Sequence, residues 1–362
     1  MPDLPNSGRR RLIVSLACLP AALRAGHAVA TPLAGFALPP AAVAPFPETP
    51  RLLVAGPDDG VLNRWADALQ PALQQSLPPD TMLHRVEVGS ADGVTGANQF
   101  EVRSMPDGTT VMLVPGEAAL AWLVGDPRAQ FDVGHWVPVM AGTSAGVLVG
   151  RPSALAPGRV TRIAAAGPGS ADLPALLGCH LLGVRVEPVF GLNAGTAVAP
   201  FGNQAVDAVL LRGQRVPEQF AALAAAGAQA LFTLGALDNS GRLVRDARFP
   251  GVPHFVEYFV SRLGRLPAGP LYDAWTAAAA ATRLDFGLVL QQLTPAALVA
   301  LWRQAGADAA ASYGVRATAA TLGVHPLAGP DATANARAIA AGPPALLELR
   351  RWLSSRFNWQ PG

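Results

Sequence analysis

The chain has 362 residues, of which 51% are hydrophobic and 14% charged, with 27 basic residues against 25 acidic ones. The apolar share suits one large domain or two of ordinary size, and a net charge of +2 with no basic stripe excludes an electrostatic nucleic-acid binder. All 27 basic residues are arginine, which excludes a Walker-type phosphate loop and a Schiff-base lysine; no cofactor is assigned.

The N-terminus carries the three parts of a signal peptide: the basic run Arg9–Arg11, the apolar stretch Leu12–Leu23, and the small-x-small triplet Ala28-Val29-Ala30. The apolar stretch is too short to span a bilayer, which needs about 20 residues. Residues 1–30 are therefore expected to be cleaved after Ala30, by the general or the twin-arginine route. Ser15 stands where a lipid-attachment motif wants an aliphatic residue, which argues against lipidation of Cys18. Cleavage leaves Cys179 as the one thiol, with no disulfide possible. Its apolar surroundings, Leu176–Leu182, predict a buried thiol rather than a nucleophile.

Residues 31–50 are rich in Ala and Pro and predict a linker. Strands and helices then alternate. Strands are expected at Arg51–Ala55, His84–Val88, Thr110–Val114, Trp136–Ala141 and Gly146–Val149. The apolar residues Val61, Leu62, Trp65, Leu69 and Leu73 recur at helical spacing, which predicts a helix over Val61–Leu77. Ala97–Ser104 is a second helix, followed by a Pro106-Asp107-Gly108 turn. A second unit follows, with strands at Ile163–Ala166, Val184–Phe190, Val206–Leu211 and Ala228–Leu234 and a helix over Asp172–Leu182. The C-terminal third is expected to be helical over Leu271–Thr282, Pro295–Tyr313 and Pro344–Phe357. Such alternation predicts an α/β fold with mostly parallel sheets, in two lobes with a ligand cleft between them.

Gly142-Thr143-Ser144-Ala145-Gly146 matches the nucleophile-elbow pattern, which needs strand, sharp turn and helix. The next segment is another strand, so Thr143 and Ser144 are better read as hydrogen-bond donors facing a cleft; a serine hydrolase using Ser144 is the weaker alternative. None of the six His residues has zinc-ligand spacing, and Asp58, Asp59 and Asp92 lack the pattern of a calcium loop. Three Gly-containing loops, 56–60, 89–96 and 167–170, each follow a strand and lead toward a helix. Free amides at a helix N-terminus favour an anion, so three such loops suit a carboxylate clamp; ordinary βα turns are the alternative.

These loops carry a resemblance. The segment GSADGVTGANQFEVRSMPDGTTVMLV (Gly89–Val114) resembles the second loop, helix, turn and strand of the solute-binding proteins of tripartite tricarboxylate transporters, the Bug or TctC family. FDVGHWVPVMAGTSAGVLVGRPS, AAAGPGSADLPALL, GNQAVDAVLL and FPGVPHFVEY resemble its later segments in order, over about residues 51–357. The resemblance implies a two-lobed, type II periplasmic-binding-protein fold with a central cleft. It implies a first lobe of residues 51–150 plus 256–362 and a second of 151–255. The cleft would be lined by Asp58, Asp59, Gly60, Ser90, Ala91, Asp92, Gly93, Val94, Thr95, Thr143, Ser144, Gly169, Ser170, Ala171, Phe190 and Asp207. It further implies a monomeric, non-enzymatic periplasmic receptor that binds a small-molecule solute and passes it to integral-membrane permease subunits. A periplasmic sensor or scaffold with the same fold is the alternative.

The sequence also departs from the family. Pro57 removes an amide donor from the first loop, and Asp58 and Asp59 would repel a carboxylate there by about 1–4 kcal/mol at about 4 Å. Pro188-Val189-Phe190-Gly191-Leu192 lacks the family's Tyr and Arg, and Pro115-Gly116-Glu117 replaces a hydroxyl-bearing segment. The ligand is therefore expected to be a carboxylate or an amino-bearing acid, with the amino-bearing or neutral choice favoured by these departures.

Overall fold

β1 (Arg51–Val54) buries Leu52, Leu53 and Val54, and α1 (Val61–Ser76) covers it with the face that carries Leu62, Trp65, Leu69 and Leu73. The helical spacing of those four residues is what places them on one side. The computed structural model describes residues 46, 49–79 and 81–360; the signal-peptide reading, Cys18 and most of the linker lie outside them. The described residues all fall in one compact unit.

β2 (His84–Glu87), α2 (Val94–Arg103) and β3 (Thr110–Val114) complete a parallel array, with β1 between β2 and β3. α3 (Gly116–Val124) and a 3₁₀ turn at Val133–His135 lead to β4 (Trp136–Ser144). The chain then passes through Ala145 into β5 (Gly146–Gly150) of a second sheet. That sheet adds β6 (Val160–Ala165), α4 (Leu173–Leu181), β7 (Arg185–Phe190), α5 (Val198–Gly202), β8 (Ala208–Arg212), α6 (Val216–Ala225) and β9 (Gln229–Thr233). A small hairpin, β10 (Ala236–Leu237) and β11 (Leu243–Val244), precedes α7 (Phe255–Leu263) and α8 (Pro270–Arg283). β12 (Leu284–Gln291) returns to the first sheet, followed by α9 (Ala296–Ala311), α10 (Tyr313–Leu322), β13 (Val324–Ala328), α11 (Gly329–Ile339) and α12 (Pro343–Phe357).

The first sheet has the order β13-β4-β12-β3-β1-β2 and the second β7-β6-β8-β5-β9. The expectation of mostly parallel sheets is corrected: β12 runs antiparallel to β3 and β4, and β5 runs antiparallel to β8 and β9. The cause is connectivity. β4 continues straight into the other sheet as β5, so the strand that crosses enters reversed, and so does β12 on its return. The helical expectation for the C-terminal third is corrected too, because β12 and β13 lie within it. Gly146–Gly150, inside the span 51–150 expected for the first lobe, pairs in the second sheet.

One apolar core reaches both sheets. It joins Leu53 and Met112 to Leu148 and Ile163 through the buried alanines Ala277–Ala281 of α8. Those small side chains let α8 lie close to its neighbours. Trp275 of the same helix stacks on Phe255 at 4.1 Å between ring centroids and donates Nε1–H to the Pro174 carbonyl at 2.9 Å. Beside the crossing, the buried guanidinium of Arg283 donates Nε–H to the Ser144 carbonyl at 3.0 Å and pairs with Asp246 at 3.3 Å. Cys179 is fully buried on α4, as its apolar setting predicts, and burial pushes its thiol up to about 12. Among the described residues no helix is long and apolar enough to cross a membrane.

Candidate functional site

The two sheets point the C-terminal ends of β1, β3, β6 and β8 toward one cleft, the position at which open α/β sheets bind ligands. The βα loops there meet two adjoining chambers. The first, about 300 Å³, is lined by Gly56, Gly60, Ala91, Leu284 and Asp285 among others; the second, about 390 Å³, by Ser170, Ala171, Asp172, Asn193 and Gln219. Glu117 and Arg212 line both. Arg212 ends β8 and Glu117 stands in the first turn of α3, and their ion pair at 2.7 Å bridges the cleft from sheet to sheet.

Each acidic group has a structural reason to be there. Asp285 falls where the pairing of β12 with β4 slips between Leu284 and Phe286. Such an irregularity re-aims a side chain that strict alternation would turn elsewhere. The Asp285 carboxylate accepts Nε1–H of Trp65 at 3.1 Å. Burial raises its pKa and the nearby Glu117 charge adds to this, against the opposing pull of Trp65, Arg212 and Ser144. Asp172 precedes α4 and accepts the Ala166 amide at 2.9 Å and the Ser170 hydroxyl at 3.0 Å through one oxygen, Oδ2. Burial raises its pKa above the ordinary carboxylate value as well. On α6 the buried Oε1 of Gln219 has no hydrogen-bond partner among the described residues.

The sequence-predicted residues divide. Gly60 and Ala91 line the first chamber, and Ser170 and Ala171 the second. Ser144 lies by Asp285. Gly93 has φ +72°, and a side chain there would meet Pro115 at 2.5 Å, so the second loop needs glycine at this point. Gly169 packs against Val124, and Val94 is core. Thr95, Asp58 and Asp59 are exposed and line neither chamber. Ser90 donates to Asp92 at 2.8 Å, and Asp92 pairs with Arg128 at 2.9 Å. Burial acts to raise the pKa of Asp92, but the Ser90, Val94 and Arg128 hydrogen bonds outweigh it and hold the group below its ordinary value.

Three of the expected residues lie away from these two chambers. Thr143 faces away from the cleft into a separate cavity of about 550 Å³ near Asp246, Arg248 and Arg283, because successive residues of β4 point to opposite faces. Phe190 meets Phe357 of α12 edge-on at 5.7 Å and lines a groove with Trp352. Asp207 precedes β8 at the end opposite Arg212, where Arg162 and Arg159 hold it at 3.0–3.1 Å. Burial acts to raise its pKa, but the hydrogen bonds and charges of these arginines hold it lower. Ser144 lies at the end of β4 and Ala145 leads directly into β5, without the strand–turn–helix of a nucleophile elbow. Among the described residues no group of three or more His, Cys, Asp or Glu converges for a metal ion.

Sequence reasoning missed Glu117, Arg212, Asp285, Asn193 and Gln219 as cleft residues and used Asp172 only as a helix start. Two carried a signal. Arg212 is a lone cation closing the apolar run Ala208–Leu211, and Asp285 is a lone acid inside an apolar strand.

No protein-family model matches the chain, and no curated protein matches it. Among solved structures, it is similar to a TctC solute-binding protein from Polaromonas, solved without ligand. The two share 17% identity, over 83% of this chain and 98% of that one, with a TM-score of 0.58. It is also similar to the periplasmic binding protein BugD (16% identity, 86% and 98% coverage, TM-score 0.46). A third is MatC from Rhodopseudomonas palustris with bound malate (18% identity, 86% and 99% coverage, TM-score 0.46). The chain thus has the two-lobed fold of the TctC solute-binding protein, the architecture that the ordered loop motifs imply.

Proposed function

We propose that this protein is a periplasmic solute receptor: a small organic solute enters the cleft, the lobes close on it, and membrane permease subunits read the closed form. The observation that carries the reading is the cleft itself, in which the loops of two sheets converge and one ion pair, Arg212 with Glu117, already links the two walls. A ligand that touches both walls interacts differently with open and closed states, which is what coupling closure to binding requires. Export by the segment ending at Ala30, a monomeric state and transient contact with the permease belong to the same proposal.

The test is to express the full chain with its leader in a bacterial host, purify it from the periplasm and analyse it by native mass spectrometry. A solute of a few hundred daltons on the order of the chamber volumes should co-purify, and adding it back to stripped protein should raise the unfolding temperature. Protein that carries no solute, and whose unfolding temperature responds to none in a broad panel of organic acids, amines and neutral solutes, would sink the reading.

A further inference from the structure

The ionisable side chains that line the two chambers are Glu117, Asp172, Asp285 and Arg212. Three are acidic, and the one cation is engaged by Glu117. A carboxylate solute would need free donors, and the chain's own acids already take several of the donors around the cleft. Asp92 takes the Val94 amide at the start of α2. Asp172 takes the Ala166 amide and the Ser170 hydroxyl before α4. Glu117 stands in the first turn of α3. The first loop has lost a donor to Pro57.

Among the described residues, Gln219 Oε1 is buried without a partner in the second chamber. A buried acceptor without a donor is costly, so an occupant that brings N–H groups suits Gln219 Oε1, whereas further carboxylates would add to the three acids already lining the cleft.

We propose that the solute carries a protonated amine, received by Asp285 in the first chamber beside Glu117. This rests on the receptor reading and narrows it. Asp285 suits the task because the pairing slip fixes its direction, and Trp65 and Ser144 steady its carboxylate at the wall of the first chamber. A solute that also bears a carboxylate has Arg212 available at the far wall, at the expense of the Glu117 pair; a solute with a second amine has Asp172. The burial that raises the pKa of Asp285 and Asp172 is offset when a cation arrives, so binding an amine draws both carboxyls toward their charged forms.

Isothermal titration of the stripped full-length protein at neutral pH separates the cases, with putrescine, lysine and glutamate as amine probes and malate and adipate as plain dicarboxylates. At least one amine should bind, and malate and adipate should not compete with it. Asp285→Asn keeps an oxygen to accept from Trp65 but removes the charge, and should weaken amine binding roughly tenfold to a hundredfold. Should that variant fail to fold, Glu117→Gln tests the same wall. Tight binding of malate or adipate with no response to amines would overturn this inference while leaving the receptor reading intact, as would amine binding that Asp285→Asn and Glu117→Gln leave unchanged. Silence from every probe and from neutral solutes overturns both.

Discussion

Asp207 and Arg212 sit at opposite ends of one strand, and they show how a single residue's role follows from which end it occupies. β8 has five residues, so the two are about 16 Å apart. The family resemblance placed Asp207 in the site, yet its carboxylate is consumed by Arg159 and Arg162 far from the cleft. Its chemistry is therefore a stability matter with a definite sign. The native pKa is depressed, so the contribution is present above the ordinary carboxylate value of about 4 and is lost as pH falls through the lower native value. Asp207→Asn should cost about 1–3 kcal/mol at neutral pH, and the gap from wild type should shrink as pH drops below about 4. Urea titrations at a series of pH values check this; a gap independent of pH would mean the charge is irrelevant. Asp172 and Asp285 act oppositely. Their raised native values make the native state less favourable as pH rises above the unfolded carboxylate value, a cost concentrated at the cleft.

At the scale of elements, α1 was legible because its apolar residues recur at helical spacing, and α3 was not because it is apolar on almost every face. A helix without a polar side has no period to detect. Its ends did carry cues, Glu117 in the first turn and Gly125 at φ +71° closing it. β12 escaped for the same reason as α3: it is buried on both faces and follows α8 without a break. Gly116 shows how tightly these pieces are joined. A Cβ there would stand 2.1 Å from the Ala281 carbonyl oxygen and 2.6 Å from that of Leu284. Neither backbone atom can step aside cheaply, so Gly116→Ala should destabilise the protein by about 2–3 kcal/mol. Because Glu117 is the next residue, the same change should weaken solute binding. Calorimetric unfolding and titration of the variant test both halves; an unaltered unfolding temperature would show that α3 can shift freely against α8.

For the whole molecule, two lobes and an α/β class followed from strand–helix alternation, but the reversed strands did not. Which strand lies beside which is settled by where the chain crosses, at Ala145 and again between β9 and β12, and no local pattern encodes that. The site divides the same way. Its loops were visible as Gly-containing turns, whereas Glu117, Asp172 and Asp285 are far apart in the chain and meet only through the topology. The link between the walls is weak by itself: Glu117 and Arg212 are about a third exposed, with side-chain values of 36% and 37%, and pairs of that kind contribute about 0–1 kcal/mol. That is enough to bias an opening equilibrium by up to about fivefold and too little to hold the lobes shut. Arg212→Gln should therefore raise the radius of gyration of the solute-free protein in small-angle scattering, and added solute should reverse it. A solute-free profile identical to wild type would show that the shared core along α8, not this pair, sets the resting shape.

The buried thiol of Cys179 has a practical corollary. Thiol-directed dyes attack the thiolate, a form that Cys179 scarcely adopts at neutral pH. A chain beginning after Ala30 thus offers such reagents almost no native target, and Ala91→Cys or Asn193→Cys, on the two chamber walls, would take a fluorophore nearly alone. The molecule is in this sense pre-adapted as an optical reporter, with its own sulfur hidden from the label and its cleft supplying the signal.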